Sequence, residues 1–202
     1  MSRFTALLIL ALMVPACSSG GGGGGSAAST VVFRENFSEM NADNWNGNMT
    51  LQDGNPPPGG ITTGNSTTVL NFDFTGGLSI SWQFAIGILP AGYQNFGGLN
   101  SGTAGAPGYG AGIGISVGTY NWSFRTSYIW QCYLNGQVVF ETGLASGGPL
   151  WHLLKVTILP DGTVEYYVDG GLVYTSTAPV GFPSPKDVVM NGEVDNILIT
   201  VP

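Results

Sequence analysis

Few side chains in this chain can do acid, base or nucleophilic work. The single histidine, His152, would have to centre any triad or His-rich metal site. It opens the apolar run "WHLLKVTIL", where a satisfied structural histidine fits better than a catalytic one. Cys132 shares its alternation parity with Trp122, Phe124, Thr126, Tyr128, Trp130 and Leu134, so its thiol is expected to be buried and inert. Glu193 and Asp195 are a close pair of carboxylates. Two positions apart on one strand face they stand roughly 7 Å apart by strand rise, beyond the 5 to 5.5 Å or so that a retaining glycosidase pair needs. Asp195 reads instead as an acceptor for turn amides at a sheet edge.

Binding chemistry is better supplied. Sugars present C–H faces that stack on aromatic rings and hydroxyls that pair with amides and carboxylates. The stretch "GYQNFGG" offers Tyr93, Gln94, Asn95 and Phe96, and Tyr109 follows in the same glycine-rich segment. That segment, Pro90 to Gly110, shows no strand pattern and is expected to be a long loop. A second irregular segment, Met40 to Gly64, carries Trp45 and a short strand near Met49 to Gln52. Loops of this length within a compact domain are usually functional or mobile, which makes these residues the candidate ligand site. The competing expectation is that the aromatics fold back as loop anchors. Asp43, Asn44, Asn46, Asn48 and Asp53 are candidate oxygens for a Ca²⁺ ion, which takes six to eight of them. Their spacing fits no EF-hand loop, and Asn and Asp in such a stretch serve equally well as turn formers.

The elements that must position these groups are strands. In "LSISWQFAIGI" Leu78, Ile80, Trp82, Phe84, Ile86 and Ile88 fall on one face and Ser79, Ser81, Gln83, Ala85 and Gly87 on the other, the period-two signature of a half-buried strand. Similar runs occupy 31–37, 67–74, 111–119, 121–134, 137–142, 151–159, 163–168, 172–176, 188–190 and 194–201. Asn135-Gly136, Asp161-Gly162 and Asp169-Gly170 mark tight hairpins. The expected fold is all-β, an antiparallel jelly-roll β-sandwich of ten or more strands.

Composition narrows the function classes. Beyond Arg3 the cations are Arg34, Arg125, Lys155 and Lys186, against twelve carboxylates. A nucleic-acid partner is excluded, because phosphate neutralisation needs clustered Lys and Arg. At the other end of the chain, Arg3 precedes an apolar run from Phe4 to Val14, far shorter than the roughly 20 residues of a membrane-spanning helix. This is the pattern of a signal peptide.

The motif at its end, Val14-Pro15-Ala16-Cys17, resembles the lipobox of bacterial lipoprotein precursors. The resemblance implies removal of residues 1–16, lipidation of Cys17, and residues 17–30 as a Gly/Ser-rich tether. Each buried acyl methylene contributes about 0.8 kcal/mol to such an anchor, and the tether spans about 20 Å as a flexible coil. The remaining region, 31–202, suits one domain.

The stretch "WHLLKVTILPDGTVEYYVDGGLVYTS", with the closing "GEVDNILIT" and the opening "FRENFSEMNADNW", resembles the concanavalin A-like lectin/glucanase superfamily, within it the laminin-G-like jelly rolls of bacterial surface proteins. One retaining glucanase family there carries Glu-aliphatic-Asp followed by a second Glu five residues after the first, and Leu198 stands at that position here. The same jelly roll serves lectins, glycosidases and adhesive modules. The expectation is a lipid-anchored, non-catalytic domain of the bacterial outer membrane or cell surface that binds carbohydrate or another surface polymer. A structural or adhesive protein-interaction module is the alternative, and a divergent glycoside hydrolase the less favoured third.

Overall fold

The computed structural model describes residues 29–39, 41–47, 49–52, 59–85, 94–101, 111–122, 125–144 and 151–202. Its strands are β1 (Thr30–Glu35), β2 (Trp45–Asn46), β3 (Met49–Gln52), β4 (Gly59–Phe72), β5 (Leu78–Ala85), β6 (Gln94–Asn100), β7 (Ala111–Trp122), β8 (Arg125–Leu134), β9 (Gln137–Leu144), β10 (Trp151–Ile158), β11 (Val164–Val168), β12 (Gly171–Thr175) and β13 (Lys186–Val201). A single 3₁₀ turn, Ala42–Asn44, precedes β2.

All the strand pairs are antiparallel, and β13 organises them. Its first part pairs with β6 and β4, while its second part pairs with β5 and β1. One layer therefore runs β12-β11-β10-β5-β13-β1, and the other runs β9-β8-β7-β6-β13-β4 with β2 and β3 along the free edge of β4. The sequence pattern suggested two strands, 188–190 and 194–201, where one continuous strand serves both layers. Gly192 lies between the two parts at φ 105°, a conformation that side-chain-bearing residues avoid, and the register against β4 shifts there.

Alternation holds along the strands that face the core. Ile80, Trp82 and Phe84 of β5 and Leu154, Val156 and Ile158 of β10 are buried on the inner face of the first layer. Ile113, Ile115, Trp130 and Cys132 meet them from the second. Burial pushes the Cys132 thiol up to about 12, which leaves it protonated and unreactive. The Tyr166 hydroxyl donates across the sandwich to the Tyr133 carbonyl at 2.6 Å.

Two hairpins follow the turn chemistry directly. Asn135 and Gly136 have φ 53° and 75°, and Asp169 and Gly170 have φ 51° and 80°, both pairs as a type I′ turn requires. The Asp161-Gly162 hairpin is wider. Leu159 and Thr163 close it by a 2.8 Å backbone bond, and Asp161 accepts from the Thr163 amide and hydroxyl.

The expected long loop from Pro90 to Gly110 is corrected: β6 crosses it and lies between β13 and β7. Gly97 and Gly98 give it no alternation to read. They are required sterically, since a Cβ on Gly97 would sit 2.6 Å from the Trp82 indole and one on Gly98 would overlap the Ile113 carbonyl. The polar and glycine-rich 59–66 stretch likewise extends β4 well before Thr67, and β7 runs to Trp122, paired in backbone register with Arg125 at the start of β8.

Candidate functional site

The outer face of the second layer carries a row assembled from five strands. Register places Asn191 beside Phe96, Phe96 beside Ser116, Ser116 beside Gln131, and Gln131 beside Glu141. The next row along runs Val189, Gly98, Gly114, Tyr133 and Val138. Its two glycines are buried, and the Phe96 ring fills the place where a Gly114 side chain would begin. Phe96 and Tyr133 meet edge to face at 5.8 Å. With Val189 they form a second apolar cluster, separate from the core between the layers.

Hydrogen bonds link the two rows. The Ser116 hydroxyl donates to Tyr133 Oη at 3.3 Å and to Gln131 Oε1 at 3.5 Å. Tyr133 Oη donates to Gln131 Oε1 at 2.8 Å, and Gln131 Nε2 donates to Glu141 Oε2 at 2.7 Å. Exposure grades along this chain: Ser116 is fully buried, Gln131 half-buried and Glu141 exposed. Amide and carboxylate thus stand together over a buried aromatic pair, with the polar groups held in place by one another.

The predicted site residues are distributed differently from the expectation. Phe96 is 1% exposed, so it packs against Tyr133 and is no open stacking platform. Trp45 is 7% exposed, held by Phe37 at 6.3 Å and edge-on by Phe33 at 6.1 Å, and it belongs to the core. Both follow the loop-anchor alternative, because a large ring gains more from full burial than from one solvated face. Gln94 and Asn95 lie on β6, paired with Gly118 and Val117. Tyr93, Tyr109, Asp53 and Cys17, the expected lipidation site, lie outside the described residues. Ser116, Gln131, Tyr133 and Glu141 were missed. The available signal was Tyr133 itself, an aromatic on the polar parity of β8.

The calcium candidates are described in part, Asn48 and Asp53 lying outside the described residues. Asp43 and Asn46 are exposed, and the Asp43 amide donates to Asn41 Oδ1 at 3.1 Å in the 3₁₀ turn. Among the described residues no group of three or more His, Cys, Asp or Glu gathers. Asp43 is the one carboxylate of the candidate set among the described residues.

His152 and the carboxylates are engaged in the fold. His152 Nδ1 lies 2.7 Å from Asp169 Oδ2, and Asp169 Oδ1 accepts the Leu153 amide at 3.0 Å, tying β10 to the β11–β12 turn. The Trp130 ring closes the other side edge-on at 5.3 Å. Asp195 accepts from the Asn196 amide at 2.7 Å and side chain at 2.9 Å. Burial pushes its carboxyl upward, the Asn196 amide opposes that, and the Glu35 charge adds to it. Burial also raises Glu193. Asn196 further donates to Gln83 at 2.8 Å and lines a shallow cleft of about 190 Å³ with Arg34, Asn36, Ile197 and Leu198.

No protein family and no curated protein matches the sequence. Solved structures do. The carbohydrate recognition domain of Emp47p aligns with a TM-score of 0.57 at 13% identity, over 88% of this chain and 99% of that one. The fold is that of the concanavalin A-like lectins. Within that lectin fold, the globular domain of T. cruzi calreticulin aligns with a TM-score of 0.54 at 14% identity, over 84% of this chain and 88% of that one. The potassium-bound form of the Emp46p carbohydrate recognition domain aligns with a TM-score of 0.52 at 9% identity, over 83% and 92%.

Proposed function

We propose that this protein is a non-catalytic carbohydrate-binding module, held at a bacterial membrane by a lipid on Cys17 and reaching surface saccharides with the outer face of its second layer. The observation that carries the reading is the row Asn191, Phe96, Ser116, Gln131 and Glu141 on a lectin fold. Its accessible end presents the Gln131 amide and the Glu141 carboxylate, oriented by hydrogen bonds and backed by the buried Phe96 and Tyr133, polar groups of the kind that saccharide recognition uses. The anchor rests on the short apolar run, Val14-Pro15-Ala16-Cys17 and the glycine tract after it. The non-catalytic reading rests on the missing second glutamate at Leu198 and on the engagement of Asp195 with Asn196.

The test is a glycan array probed with the full chain in detergent. Saturable binding to a defined glycan, weakened at least tenfold by Gln131→Ala, is expected. A folded protein that binds nothing on the array refutes the reading. Incorporation of labelled palmitate, abolished by Cys17→Ser, is the matching test of the anchor.

A second reading, a protein-contact module, has one observation in its favour. Leu153 and Leu172 are 44% and 54% exposed on the outer face of the first layer, near Tyr167. That patch is small beside a stable interface, which ranks this reading second.

A further inference from the structure

The hydrogen-bond chain on the second layer has a direction. A carboxylate accepts only, so Glu141 takes the N–H of Gln131 Nε2 and sets which way that amide is turned. Gln131 Oε1 then points at Tyr133 and receives its hydroxyl hydrogen. The Ser116 hydroxyl, last in line, hands its hydrogen to the same two oxygens. Every step passes a hydrogen toward Glu141; Tyr133 and Ser116 occupy both lone pairs of Gln131 Oε1, and the acceptor left at the solvent-facing end is the second Glu141 oxygen. One N–H of Gln131 is the donor that remains there.

Two other charges are engaged away from this end. Asp187, on the same face of β13, accepts from Asn100 at 3.4 Å. Lys155 lies over the Tyr167 ring at 5.1 Å, on the other layer.

We propose that this relay makes the site a reader of hydroxyl donors: it accepts uncharged saccharides and rejects those bearing carboxylates or sulfates, and Glu141 is the specificity-determining residue. The inference rests on the carbohydrate reading above. It adds the class of ligand and the residue that sets it.

Glu141→Gln is the decisive variant. The side chain is exposed and keeps its shape, so folding is retained, which circular dichroism checks. A neutral amide at 141 can donate as well as accept, which lets Gln131 turn over and reverses the chain. The experiment compares full-chain wild type, Glu141→Gln and Tyr133→Phe on an array holding neutral, uronate-bearing and sulfated polysaccharides. Wild type is expected to bind neutral glycans at least tenfold more tightly than acidic ones. Glu141→Gln is expected to lose most of that discrimination. Tyr133→Phe keeps the ring, and is expected to weaken neutral binding threefold to tenfold while acidic glycans stay rejected. Wild-type preference for acidic glycans, or a Glu141→Gln profile identical to wild type, overturns this inference and leaves carbohydrate binding standing. Binding to no glycan at all overturns the carbohydrate reading and this inference with it.

Discussion

The two outer faces of the sandwich each carry one row that crosses five or six strands in register, and the rows have opposite characters. On the first layer, register aligns Arg34, Leu198, Ser81, Lys155, Tyr167 and Leu172, all half-buried or exposed and carrying two cations. On the second, Asn191, Phe96 and Ser116 are buried, and the row ends on a carboxylate. Similar residue types therefore do different work. Where the side chains are wet, water satisfies them and each contributes little; where they are buried, they must satisfy one another, and a directional network results.

The largest test of that contrast is steric. Gly114→Val drives a side chain into the Phe96 ring and the Gly97 carbonyl, and a loss of about 3 kcal/mol in urea unfolding is expected, at the upper end for overpacking. Ser81→Val, on the wet row, should stay within about 0.5 kcal/mol. Equal effects would break the comparison. Of similar size is truncation: Tyr133→Ala removes a buried ring and should cost about 3 kcal/mol, whereas Leu172→Ala, at 54% exposure, should change stability by about 0.5 kcal/mol or less.

The smallest effects are electrostatic, and they differ in sign. Asp161 is held below the ordinary carboxylate value of 3.8 by the Thr163 hydroxyl and amide, so it binds fewer protons folded than unfolded. Its contribution is present above pH 3.8 and disappears as pH falls through its lower folded value. Asp161→Ala should therefore flatten the acid limb of a stability profile. Asp195 is raised by burial, so the folded state holds its proton more tightly and stability is lost as pH rises from 3.8 toward the folded value. Asp195→Asn should gain on wild type across that interval. Parallel profiles for the two variants would contradict the opposed assignments.

Much of the fold was legible because alternation survives wherever large side chains do. β5, β10 and β11 read from their apolar parity, and the Asn135-Gly136 and Asp169-Gly170 turns from residues that accept positive φ. β6 was illegible for the opposite reason. Gly97 and Gly98 carry no side chains to alternate, and what makes them a strand is close approach to Trp82 and to the β7 backbone, partners far off in the chain. The same blindness turned Phe96 into an apparent exposed ring: its parity is visible only once β6 is known to exist.

By itself, then, the sequence determined an all-β sandwich, the inner face of most strands, a buried Cys132 and the scarcity of catalytic groups, because each follows from local periodicity and residue chemistry. Tertiary structure alone decided that β13 serves both layers, and that Asn191, Phe96, Ser116, Gln131 and Glu141 form one row. The reason is register. A strand's own pattern says which face a side chain takes, but which residue lies beside it depends on where each neighbouring strand is laid, and no stretch of sequence contains that alignment.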